Sequence, residues 1–85
     1  MSTKDTLIAK ITARPPPRNF TIRDLDALMT KCHCEKYQGG RGSGIGYRHL
    51  SSGKSLQFDA PHPVKELSRF HIRKVIEFLG LVGEI

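Results

Sequence analysis

The chain contains no tryptophan, only two cysteines and two tyrosines, and eight acidic residues against fourteen lysines and arginines. Each shortage excludes something. No apolar run approaches the roughly 20 residues that a bilayer-spanning helix needs. Met1-Ser2-Thr3-Lys4-Asp5 is followed by a short apolar patch only, which predicts no secretion signal and a cytoplasmic protein with no membrane partner. The two cysteines sit in Cys32-His33-Cys34, and residues two apart on an extended chain lie about 6.5–7 Å from each other. A disulfide framework is therefore excluded. Four phenylalanines without tryptophan fit a thin sheet covered by helices better than a thick sandwich, and 85 residues suffice for one domain, 1–85, with a single modest core. The shortage of acids leaves a formal charge of +6 and a pI near 9.8. That balance favours encounter with a polyanion such as nucleic acid, or with an acidic protein.

What is present is concentrated between Gly39 and Pro63. Ile45, Tyr47 and His49 alternate with Gly44, Gly46 and Arg48, and Leu56 and Phe58 alternate with Ser55, Gln57 and Asp59. This is the period of half-buried strands, and the Ser51-Ser52-Gly53 loop between them predicts a hairpin. One face is apolar; the other is bare at Gly44 and Gly46, so that something can lie against the backbone there. His49 follows the apolar alternation and is expected to point inward or toward the rim, partly buried. Pro61-His62-Pro63 closes the block, and the flanking prolines fix the backbone that carries His62, a good mount for a general base or for a hydrogen-bond donor to phosphate.

Helices are predicted on both sides. Leu7, Ile8 and Ile11 mark a short amphipathic helix within Lys4 to Ala13, stopped by Arg14-Pro15-Pro16-Pro17-Arg18. Thr21 and Asp24 form a capping-box pair, and Phe20 with Leu25 has the spacing of a hydrophobic staple. That helix carries Leu25, Leu28 and Met29 on one face and should end near His33, in the left-handed conformation usually filled by glycine. Cys34 to Gln38 reads as the first strand. Ser68 is the expected cap of a last helix through Leu67, Ile72, Val75, Ile76 and Leu79, with Gly80 as its stop and Leu81 as the apolar residue after it. The fold class is therefore α+β, ordered α-α-β-β-β-α, with a three-stranded antiparallel sheet backed by helices and open on its other face.

Cys32, His33 and Cys34, joined by His49 or His62, invite a metal reading, but zinc sites usually separate paired cysteines by two to four residues. The expectation is instead that Cys32 ends a helix and Cys34 begins a strand as small buried groups, with no metal and no cofactor. His71 falls in the first turn of the last helix, half exposed. Lys36, Arg41, Arg48 and Lys54 lie in or beside the sheet with Glu35 and Asp59 as the local acids. They predict a cationic surface suited to the backbone and shape of folded RNA rather than to base stacking.

The capped helix from Phe20-Thr21 to Leu28-Met29, the glycine-rich approach to Gly42-Ser43, the strand bearing Tyr47, the Pro61-His62-Pro63-Val64-Lys65-Glu66-Leu67 segment and the Ile72-Val75-Ile76-Gly80-Leu81 ending resemble the HicA-type toxins of bacterial toxin-antitoxin pairs. The resemblance covers nearly the whole chain. It implies a double-stranded-RNA-binding-like fold, metal-independent mRNA interferase (endoribonuclease) activity, and mRNA and a cognate antitoxin protein as partners. It also adds Ser43, of the family's Gly-Ser pair, to the RNA-binding set of Lys36, Arg41, Arg48 and Lys54. The family's catalytic histidine follows that pair, and here the position is Gly44. The usual base for a ribose 2′-OH is therefore missing, leaving His62 or His49, or a domain that binds RNA or a protein without cleaving.

Overall fold

A computed structural model describes residues 3–38, 44–59 and 66–85. The elements run α1 (Lys4–Ile11), α2 (Ile22–Lys31), β1 (Cys34–Gln38), β2 (Gly44–His49), β3 (Ser55–Asp59) and α3 (Arg69–Leu81). The three strands form one antiparallel sheet in the order β1-β2-β3. The α+β class and the α-α-β-β-β-α order expected from the sequence are those of the structure.

Local chemistry starts each helix. Thr3 accepts the Thr6 amide ahead of α1. At α2 the capping box is reciprocal: the Asp24 amide donates to Thr21 Oγ1 and the Thr21 amide to the Asp24 carboxylate, both at 3.1 Å. Ser68 caps α3, with His71 in the place normally held by glutamate: the Ser68 amide donates to His71 Nδ1 at 3.3 Å. The sequence marks His71 as half exposed, and it is, but its capping role was hidden because glutamate or glutamine is the usual sign.

The helix ends differ in legibility. His33 takes a positive φ of 63° after Cys32, as expected, and its amide donates to Thr30 O. Gly80, in contrast, lies inside α3. The helix continues through Leu81 and stops at Gly83, φ 80°, where the Gly83 amide reaches Gly80 O and the Glu84 amide reaches Leu79 O, a Schellman ending. Gly80 and Leu81 are thus one turn too early as the stop. Similarly α1 ends at Ile11, two residues short of Ala13, where Thr12 donates amide and hydroxyl to Ile8 O.

The helices cover one face of the sheet. α2 packs on β1, α3 on β3, and α1 on α2. Phe20, Leu25, Leu28, Met29, Val75 and Leu79 are fully buried between them, and each such side chain contributes roughly 1.5–3 kcal/mol of transfer free energy. Cys32 and Cys34 belong to the same core. Burial pushes the Cys34 thiol up to about 11 and raises that of Cys32, so both are inert apolar fillers. Leu67 is buried too, and its amide donates to Phe20 O, which ties the chain ahead of α3 to the start of α2.

Candidate nucleic-acid interface

The strand register sorts every side chain of the sheet onto a face. Lys36 is opposite Tyr47 and Tyr47 opposite Leu56, while Glu35 is opposite Arg48 and Arg48 opposite Ser55. Because side chains alternate, Cys34, Lys36, Ile45, Tyr47, His49, Leu56 and Phe58 share the helix-covered face. Glu35, Tyr37, Gly44, Gly46, Arg48, Ser55, Gln57 and Asp59 share the open one.

On the covered face two polar side chains are buried and answered by carboxylates. Tyr47, 1% exposed, donates its hydroxyl to Asp26 Oδ1 at 2.5 Å, and burial together with that bond pushes its phenol far above the ordinary range. Lys36 Nζ lies 3.0 Å from the same carboxyl, so Asp26 of α2 holds both β1 and β2. His49 points inward, the first of its two expected placements, and at 2% exposed it is fully rather than partly buried. Its Nε2 lies 2.7 Å from Glu84 and its Nδ1 2.8 Å from Ser52 Oγ, and the Ser52 amide also points at Nδ1 from 3.3 Å. A ring nitrogen that receives an amide N–H is an acceptor, so Nε2 carries the proton and donates it to Glu84. Hydrogen bonds from Lys4 and then His49 outweigh the effect of burial and bring the Glu84 carboxyl down to about 2. Both ring nitrogens of His49 are engaged inside the protein, and the imidazole is a structural strut, not a base presented to substrate.

The open face is built differently. Gly46 is buried although it has no side chain, because the Tyr37 ring from the neighbouring strand lies directly over it. A Cβ added at Gly46 would collide with that ring. Gln57 Nε2 of β3 donates to the Tyr37 hydroxyl at 2.6 Å, so Tyr37 spans the sheet from β1 to β3. This aromatic covering of a strand glycine shields its backbone and holds the register. Beside it, Glu35, Tyr37, Arg48 and Ser55 line a shallow depression of about 380 Å³. Arg48 is held there by an ion pair with Glu35 at 3.4 Å, the two side chains 57% and 61% exposed. Exposed pairs contribute about 0–1 kcal/mol, so a phosphate competes for the guanidinium at little cost.

The candidate residues named from the sequence are thus partly separated. Arg48 lies on the open face and Gly44 begins the strand beside it. Lys36 lies on the covered side, paired to Asp26. Lys54 is exposed at the hairpin end, where its carbonyl accepts the His49 amide. Arg41, Ser43 and His62 fall outside the described residues. Tyr37 and Gln57, which the sequence pattern did not single out, are on the open face; the signal for them was the register that sets Tyr37 across from Gly46. Among the described residues no group of three or more histidines, cysteines or acids is disposed to hold a metal ion, and no helix is long and apolar enough to cross a membrane. No family model, no curated protein and no solved structure matches the chain.

Proposed function

We propose that this chain is a HicA-like component of a toxin-antitoxin pair that binds RNA through the open face of its sheet, is held by a cognate antitoxin, and cleaves RNA negligibly. The observation that carries the reading is the face itself. The described helices cover one side of the sheet, while the other carries no side chain at Gly44, has Gly46 capped by the Tyr37 ring and offers Arg48 from a weak exposed ion pair. A net charge of +6 supplies the long-range attraction. With the Tyr37 ring committed to Gly46, the face suits backbone and shape contacts.

The negligible cleavage follows from Gly44, which stands at the position where HicA-type toxins carry the catalytic imidazole, and from the enclosure of His49 between Ser52 and Glu84. His62, between its two prolines, is then the remaining candidate base named from the sequence. The test is an mRNA-fragment assay that reads binding and cleavage side by side. Wild type is expected to retard the RNA and leave it intact, and Gly44→His to bring cleavage up sharply. Efficient wild-type cleavage lost in His62→Ala would overturn the non-cleaving reading, and absence of any salt-sensitive RNA affinity would overturn the RNA reading altogether.

A further inference from the structure

A second groove lies away from the sheet, between the end of α1, the proline connector after it, and α3. It encloses about 690 Å³, its floor is Ile11, Ile72 and Ile76, and Pro15 and Pro16 form one wall. Ile11 and Ile72 are 1% and 2% exposed, so the floor is firm. The ring constraint on the prolines fixes φ and stiffens the wall without any contact to an occupant.

The rim is cationic. Arg14, Arg69 and Arg73 line it against a single acid, Glu77. Among the described residues, which include all eight acids of the chain, none of these arginines has a carboxylate within 4 Å. Arg69 and Arg73 are separated by four helical positions, about 6 Å along the axis, and Glu77 lies about as far again beyond Arg73. The groove therefore presents an apolar trough edged by two positive charges one turn apart, then a negative one.

We propose that this groove docks an acidic amphipathic helix of a partner protein. Its apolar stripe lies on the exposed Ala13, Pro15 and Pro16 and the half-buried Ile76, above the buried Ile11 and Ile72, and two of its carboxylates, one turn apart, meet Arg69 and Arg73. Burial of that exposed strip and the ion pairs together supply the affinity, and the arginines select the charge and direction of the occupant. A second copy of this chain does not fit the part, because none of its helices carries acids three or four positions apart. A phosphate backbone would meet the arginines but leave the apolar strip of Ala13, Pro15, Pro16 and Ile76 between them uncovered, which favours a peptide as the occupant. The inference does not rest on the RNA reading of the sheet.

The experiment is an amide-shift NMR titration of the full chain with three probes. These are a synthetic helical peptide of about 16 residues, roughly 24 Å long, with a leucine face and paired glutamates one turn apart, the same peptide with lysine for glutamate, and a short single-stranded RNA. The acidic peptide is expected to shift Ala13, Arg14, Arg69 and Arg73 saturably. The Arg69→Glu, Arg73→Glu double variant should keep its dispersed spectrum, bind that peptide about tenfold or more weakly, and gain affinity for the lysine peptide. Equal binding of both peptides to wild type, shifts confined to the sheet, unchanged affinity in the double variant, or RNA taking the groove in place of the peptide would each overturn the proposal.

Discussion

The two faces of the sheet solve the same problem by opposite means. On the covered face two polar side chains are sealed in and each is met by a carboxylate from another part of the chain: Tyr47 by Asp26 of α2, His49 by Glu84 beyond α3. On the open face the strand backbone is shielded by one ring, Tyr37 over Gly46, and the charges around it are exposed and loosely paired. The first arrangement fixes the molecule, because removing either partner strands a buried group. The second leaves charges that a ligand can recruit without dismantling the fold.

Breaking the covered face should have the largest effect. Glu84 joins the N-terminal helix through Lys4, the end of α2 through His33 and the hairpin through His49. Its carboxyl titrates at about 2 in the folded protein against an ordinary 4.5. A carboxylate lowered in this way contributes stability that is complete above the unfolded value and is lost as pH falls from about 4.5 toward 2. After allowance for the solvent around Lys4, that contribution is on the order of 2 kcal/mol. Glu84→Gln should therefore be destabilised by this amount in urea melts at pH 7, with the gap to wild type closing by pH 2–3. Asp24, where burial raises the carboxyl but bonds from Thr21 and Lys10 lower it further, leaves both proteins some remaining acid sensitivity. A gap that stays constant with pH would show that Glu84 acts by shape alone.

The shield on the open face should have a smaller effect, and one whose sign depends on context. Gly46→Ala should destabilise the protein by about 1 kcal/mol by displacing the Tyr37 ring and its bond to Gln57. In a Tyr37→Ala background the same change should be neutral or stabilising by up to about 1 kcal/mol, since a strand glycine is then merely replaced by a less flexible residue. Thermal melts of the four proteins in this cycle measure the coupling. Simple additivity would mean that Tyr37 does not depend on the bare backbone beneath it.

The same contrast explains what the sequence disclosed. Alternation assigned Tyr47, Leu56 and Phe58 to the covered face, and Thr21 with Asp24 announced α2, because those signals are local. Gly80 and Gly83 offer the same local stop signal, and a Cβ at Gly80 would meet nothing within 4 Å. Reach decides between them: continuing to Gly83 delivers Glu84 to His49, a partner 35 positions away that local spacing does not reveal. Lys36 looks like part of a cationic sheet surface until the register assigns it to the face with Asp26. Gly46 reads as bare backbone that something can lie against, and only the register shows that at Gly46 this is Tyr37 of the neighbouring strand.

The smallest effect on stability belongs to Arg48, the residue whose proposed role is most open to contradiction. Arg48→Ala should change folding free energy by less than about 0.5 kcal/mol, since it removes only an exposed ion pair. Combined with Arg41→Ala, it should nevertheless reduce the slope of log affinity for RNA against log salt by about 0.7–0.9 for each phosphate that is no longer neutralised. The decisive measurement is that slope, determined for wild type and the Arg41→Ala, Arg48→Ala double variant across a salt series. A flatter slope in an equally stable variant is the predicted result; an unchanged slope would contradict the claim that the open face of the sheet binds RNA.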